Sequence, residues 1–359
     1  MTSPFPIQRD LHGCRKTCLR LAGFITGPSS SAIRHLVLCL CLLLGAATAF
    51  SQELFIDTTD VPNADLDRMY VRGLSFLAKA QKPDGTWADP AYGSEPAVVA
   101  LTVAAMLAHG DDPNTGPYAA PIRRGLNYIL TQVNKETGYI GRTMYNHGFG
   151  TLALAEAYGV VNDPRIGPAL ERAVKLILSS QSRNPFGAWR YSPESTDADT
   201  TVTGAQMVAL FAARNAGIAV PEAAIQQGVK FLLSCQTGEG GIGYTSNSGP
   251  NGARTAIMCT VLALAKEKNS AAFKAGFNFL QRAPPEPQYQ HYYLYYASQA
   301  YFHASPEAWR TWNRANIQTL KRDQNSDGSW SGSFGTTFTT AASLLSMALN
   351  YRYLPIYER

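Results

Sequence analysis

The sequence predicts an all-α protein, an array of about six helical hairpins, and three observations carry that expectation. Apolar residues recur at helical spacing throughout residues 67–350. The stretches that carry them alternate between amphipathic and apolar all round, as outer and buried inner helices do. The alternation returns every forty to fifty residues or so, the period of solenoids and closed arrays.

The N-terminus is set apart first. Residues 36–50 form the apolar run LVLCLCLLLGAATAF, preceded by Arg9, Arg15, Lys16, Arg20 and Arg34 and followed by the small-residue site Ala47-Thr48-Ala49. This is the pattern of an export signal cleaved near Ala49, which makes 1–51 a leader and 52–359 the mature domain. The run falls short of the ~20 residues of a spanning helix. A retained leader would instead anchor the domain at a membrane, and the long n-region admits a start codon downstream of Met1.

The leader also distorts the composition. Its five basic residues less Asp10 account for +4 of the formal charge of +5. The mature domain is close to neutral, which removes the argument for nucleic acid or an anionic surface as partner, since both need a basic patch. Cys14, Cys18, Cys39 and Cys41 leave with the leader, and Cys235 and Cys259 occupy apolar helix positions, where cysteines pack.

In the first hairpin, residues 67–81 (DRMYVRGLSFLAKAQ) place Met69, Leu74 and Leu77 on one face and stop at Pro83-Asp84-Gly85. Pro96 then opens a helix apolar on every side. The plan recurs in 122–132 with 147–159, 170–181 with 200–213, 224–236 with 253–265, 271–283 with 291–304, and 312–324 with 338–350. Small residues (Gly73, Gly125, Ala173, Gly228, Gly276) hold one place in the outer helices, where they allow close approach. Gln81, Gln181, Gln236 and Gln324 end outer helices, where an amide can satisfy orphan backbone groups. Trp87, Trp189 and Trp330, with Tyr244 in the same place, can cover the glycine turns.

These residues carry a resemblance. Arg72-Gly73-x-x-Phe76-Leu77-x-x-x-Gln81-x-x-x-Gly85-x-Trp87 resembles the QW motif of the squalene cyclase and prenyltransferase β-subunit superfamily. Residues 172–189 are a near copy with a longer turn, Gln324 to Trp330 is a third, and imperfect copies lie near Gly125 and Gln236. The resemblance implies an α/α toroid, an inner ring of helices inside an outer one. It also implies one such domain where the larger triterpene cyclases carry two.

Chemistry is expected where the inner helices begin, because helix N-termini converging on one mouth offer free amides and partial positive charge. The residues there are Glu95, His147, Asp197, Asp199, Arg254, His291 and Tyr292. Asp199 and its counterparts also suit plain N-capping. Ser195 to Thr201 resembles the D-x-D-D acid of class II terpene cyclases, and it aligns in two registers. In one, Asp197 and Asp199 match the first and middle aspartates. In the other, Asp199-Thr200 matches the closing pair and Ala198 replaces the acid.

The resemblance thus implies Asp199 and Asp197 as acid candidates, with His147 and Glu95 supporting. Trp189, Tyr191, Arg254, His291 and Tyr292 become substrate contacts, and the tyrosine-rich run 289–296 with Phe149 can face a carbocation or serve as core. No cofactor or metal is expected: the Asp-x-Cys zinc pair of the prenyltransferases is missing, as is the Cys-Gly-Glu-Gln run of thioester domains. The sequence names no protein partner. Three functions stay open: terpene-cyclase-like or prenyl-lipid-handling activity on a polyprenyl substrate, a non-catalytic exported binding or scaffold protein, and a polysaccharide lyase or hydrolase pairing Glu95 with Asp199.

Overall fold

The computed structural model describes residues 63–354 except 284–285, together with residue 356. The described residues all belong to one compact unit. The leader and its cleavage site lie outside them. Among the described residues no helix is long and apolar enough to cross a membrane.

Twelve α-helices and no strand make up the described residues. The outer helices are α1 (Asn63–Ala80), α3 (Ala119–Thr131), α5 (Ile166–Arg183), α7 (Glu222–Ser234), α9 (Ala271–Leu280) and α11 (Pro306–Asp323). Between them run the inner helices α2 (Pro96–Leu107), α4 (Met144–Ala157), α6 (Thr200–Asn215), α8 (Gly252–Leu264), α10 (Gln290–Ala304) and α12 (Thr336–Met347). Each inner helix packs on the next, and α12 packs on α2, so the inner layer closes into a ring. Every residue of α2 except Ala97 is buried, as an apolar surface all round requires.

The helix pairs of the sequence are not the tightest pairs in space. Each outer helix lies chiefly on the inner helix before it: α3 on α2, α5 on α4, α7 on α6, α9 on α8, α11 on α10, and α1 on α12. The turn after an outer helix therefore crosses from one sector of the ring to the next. The small residues sit at these contacts. A Cβ at Gly228 of α7 would strike Met207 of α6, and one at Gly73 of α1 would lie 2.9 Å from Leu344 of α12.

Four glutamines stitch the outer layer by one rule. Gln81, Gln181, Gln236 and Gln324 each donate Nε2 hydrogen bonds to the turn glycine's carbonyl and to a carbonyl early in the next outer helix. For Gln324 the second acceptor is Met69 of α1, at 2.9 Å, so the last turn is tied to the first helix. Arg72 adds bonds to the carbonyls of Asn325 and Ser326, and the Lys321 ammonium lies 2.9 Å from Asp65. On the inner side Asp89 Oδ2 accepts from the Thr337 amide at 3.0 Å, capping α12 from another part of the chain.

The tryptophans follow a second rule. Trp87, Trp189 and Trp330 are buried, and each donates Nε1 to a carbonyl of its own outer helix: Leu77, Ile177 and Leu320. The indole thus ties the turn back to its own helix, at a last-turn carbonyl for Leu77 and Leu320 and one turn earlier for Ile177. Tyr244 departs from this expectation, because its hydroxyl turns toward Tyr191 and Asp199 instead.

Candidate functional site

The inner helices begin at one end of the ring, and a cavity of about 730 Å³ opens there. Its walls include the cap residues Glu95, Thr143, Asn251 and Tyr289 and first-turn residues of α2, α4, α6, α8, α10 and α12. Helix starts converge as the alternating pattern requires, because every inner helix runs in the same sense.

Most of the lining is apolar or aromatic. On one side Tyr92, Tyr289, Phe334 and Phe338 form a chain of ring contacts with centroids 5.5 to 6.2 Å apart. On the other, Tyr145 faces Tyr191 with centroids 6.2 Å apart, and the Tyr191 and Tyr244 hydroxyls share a hydrogen bond. Leu101 and Phe149 line it further along α2 and α4. The Tyr145 hydroxyl bonds Thr201 Oγ1, and burial, reinforced by the Asp199 charge, pushes its pKa well above the ordinary tyrosine value. Tyr244 is pushed up too, first by burial and then by its bond with Tyr191.

The acidic loop is held beneath this wall. Asn184 donates to the carbonyls of Ser195 and Asp197, fixing the turn before α6. Asp199 is fully buried and caps α6: Oδ1 accepts from the Thr201 amide, the Thr201 hydroxyl and the Val202 amide at 2.7 to 2.9 Å. Its Oδ2 faces Tyr244 Oη at 3.4 Å and Arg190 Nε at 3.6 Å. Both oxygens are engaged, and Asp199 does not line the cavity. Asp197 is exposed and pairs with Arg190 at 2.7 Å. The Arg190 guanidinium lies 5.3 and 5.5 Å from the ring centroids of Tyr191 and Tyr244, a cation–π arrangement that orients the tyrosines.

The structure therefore brings together Glu95, Tyr191, Arg254 and Tyr292 of the sequence candidates, all of which line the cavity. Glu95 accepts a hydrogen bond from Asn146 Nδ2 at 2.8 Å, while Asn146 Oδ1 accepts from the Ala97 amide at the start of α2. Tyr292 sits in the wall with burial raising its pKa well above the ordinary value.

Asp197, Asp199, His147, Trp189 and His291 stand apart from the cavity. His147 is fully buried between α4 and α5, accepting from the Ile140 amide and bonding the Ala173 carbonyl. Burial lowers its pKa to about 4. Trp189 is buried with its indole on the Ile177 carbonyl. His291 turns its Nδ1 to Ser343 Oγ at 3.0 Å, and burial lowers it also to about 4.

Sequence reasoning overlooked Tyr92, Tyr145, Phe334 and Phe338 and took Tyr244 for a staple. A hydroxyl-bearing residue in a tryptophan position was a signal for Tyr244. Phe334 and Phe338 had none: Phe334 lies in the turn before α12, and the serines and threonines of α12 are spread along its whole length, so no face of it stands out in the sequence. Among the described residues no group of histidines, cysteines and carboxylates is arranged to hold a metal ion.

Residues 94–250 match the family model of the squalene-hopene cyclase C-terminal domain. No curated protein matches in sequence. Solved structures similar to the chain include the type II terpene cyclase MstE from Scytonema. Its apo form is 18% identical with a TM-score of 0.57, over 82% of this chain and 100% of that one. The GH76A α-1,6-mannanase of Salegentibacter sp. HEL1_6, crystallised as an inactive variant with α-1,6-mannotriose, is 10% identical with a TM-score of 0.63, over 80% and 99%. A family 76 glycoside hydrolase from a bovine Bacteroides thetaiotaomicron strain is 11% identical with a TM-score of 0.62, over 80% and 77%. At these identities the likeness is one of fold.

Proposed function

We propose, from the premise that this chain has the α/α toroid of the squalene cyclase and prenyltransferase superfamily, that it is a prenyl-lipid-handling protein. It takes a hydrophobic polyprenyl-type molecule into the cavity at the mouth of the ring. The observation that carries the reading is the cavity itself: about 730 Å³, walled by aromatic and aliphatic side chains. That size lies within the roughly 300–1,000 Å³ of small-molecule sites. One similar structure, an MstE variant, holds geranylgeranyl dihydroxybenzoate as substrate, which favours a prenyl ligand over other apolar ones.

The same geometry weighs against cyclisation started by Asp199. Protonating an alkene requires an acid that faces it, and Asp199 is turned into its own helix by three donors. This disfavours the register in which Asp199 is the acid. Glycan hydrolysis is supported still less, because it needs two carboxylates beside one bond. Glu95 is the single carboxylate lining the cavity among the described residues. Binding without turnover is thus the preferred function. An export signal at the N-terminus would place it outside the cytoplasm.

The test is to incubate the purified protein with geranylgeraniol, farnesol and squalene, then record native mass spectra and analyse the extracts. Retention of unaltered lipid, undiminished in Asp199→Asn, is expected. A cyclised product that disappears in Asp199→Asn would overturn the reading and restore the acid.

A further inference from the structure

Two charged side chains line the cavity among the described residues, Glu95 and Arg254, so the lining carries no net charge. They differ in how they are held. Glu95 already accepts a hydrogen bond from Asn146. Among the described residues Arg254 has no carboxylate partner, unlike Arg190, which is paired with Asp197 and Asp199.

Backbone alone positions the Arg254 guanidinium. Nη2 donates to the Gly249 carbonyl at 2.5 Å and Nε to the Ile242 carbonyl at 3.3 Å. The guanidinium lies 5.8 Å from the Tyr244 ring centroid. A guanidinium has five N–H donors in a planar fork. Two are used here, which leaves both Nη1 hydrogens and one on Nη2 for a ligand, and charge-assisted bonds of this kind are what an arginine offers a carboxylate. Ring order puts Glu95 across the mouth: it precedes α2, whereas Arg254 is in the first turn of α8, three inner helices away. The negative charge is thus kept on the far side.

We propose that the ligand of this cavity is an isoprenoid carboxylic acid, its chain against the aromatic wall and its carboxylate on Arg254. The proposal rests on the reading of the cavity as a prenyl-lipid site and names the headgroup. A diphosphate carries more charge than one unpaired guanidinium offsets, and Glu95 at the same mouth opposes it. A neutral alcohol leaves the fork without a counter-ion.

The test compares geranylgeranoic acid, geranylgeraniol and geranylgeranyl diphosphate by calorimetric titration of the full chain, unsubstituted and as Arg254→Gln and Arg254→Lys. The acid is expected to bind about tenfold more tightly than the alcohol, the gain from one charge-assisted pair. Arg254→Gln should erase that gap while leaving alcohol binding within about twofold, and Arg254→Lys should keep part of it as a point charge. Equal affinity for acid and alcohol, or tighter binding of the diphosphate, overturns the headgroup assignment and leaves the prenyl-lipid reading standing. Equal weakening of both lipids in a folded Arg254→Gln also overturns it, since Arg254 would then serve only to hold the loop of residues 242–251. Failure of all three lipids to bind removes the underlying reading and the proposal with it. Should Arg254→Gln lose its helical circular dichroism, the salt response of the unsubstituted protein decides. A preference for the acid that shrinks with added salt sustains the ion pair, and a flat preference refutes it.

Discussion

His147 sets a pH limit on this fold. It is fully buried, Nδ1 accepts from the Ile140 amide at 3.2 Å, and Nε2 donates to the Ala173 carbonyl at 3.1 Å. The pattern requires a neutral ring with its proton on Nε2. A second proton would point a donor at a donor in a dry site. Burial accordingly lowers the pKa from 6.5 to about 4, the bond to Ala173 opposing in part. The unfolded chain takes up this proton as pH falls through about 6.5, and the folded chain does so only near 4. Between these values the unfolded state binds more protons. The contribution is whole above the unfolded pKa and lost as pH falls through the folded one. At 1.36 kcal/mol per unit, the shift from 6.5 to about 4 is worth about 3 kcal/mol, most of it gone by about pH 4.5. Urea unfolding at about pH 7 and about pH 4.5 would compare the unsubstituted protein with His147→Phe. The variant starts less stable, with the Ile140 amide left without its acceptor, but loses about 2–3 kcal/mol less on acidification. Carboxylates titrate in both, so the difference isolates His147. His291, lowered in the same direction and only partly buried, stays in both proteins. An unchanged pH dependence in His147→Phe would refute the reasoning.

Other consequences concern the stitches and the cap. Gln181→Leu leaves the Gly187 and Ala224 carbonyls without their donor, at a cost of about 2–3 kcal/mol in urea unfolding. A loss under about 0.5 kcal/mol would show that the glutamine ties do not hold the ring. Gly240→Ala forces a φ of +93° and drives a Cβ into the Ala275 carbonyl, whereas Gly238 in the same turn has nothing within 4 Å. The first is expected to lower the thermal midpoint by several degrees, given about 4–8 °C per kcal/mol in small domains and less in large ones. Gly238→Ala should leave it nearly unchanged, and equal effects would contradict the steric account. Asp199→Ala removes the α6 cap, costing about 1–2 kcal/mol. Lipid binding by native mass spectrometry should persist, because the residue is outside the cavity.

The architecture was legible because burial leaves a mark on composition. A helix enclosed on all sides is apolar all round, one with a wet face is not, and the alternation of the two spells out a double layer. The glutamines and tryptophans were legible as positions, and their acceptors were not, since Met69 and Gln324 come together only when the ring closes. The same uniformity that reveals an inner helix conceals its lining face. Phe338 reaches the cavity while Leu344, on the same helix, meets the outer layer at Gly73. Asp199 was ambiguous for another reason. An aspartate before a helix reads equally as a cap and as an acid, and the difference lies in whether the Thr201 and Val202 amides reach it. Arg254 and Glu95 were found because the convergence of helix starts follows from topology alone.

The tie between Gln324 and Met69 bears on what limits the size of such a protein. A linear stack of repeats grows by accretion, and its length is set by where capping units intervene. Here the sixth inner helix meets the first, and the side of α12 that would have received a further outer helix already carries α1. Duplicating a hairpin would not lengthen the molecule but change its circumference, and every stitch would have to accept a different angle between neighbours. Repeat number is therefore fixed by curvature, which each repeat contributes in small part and none specifies alone.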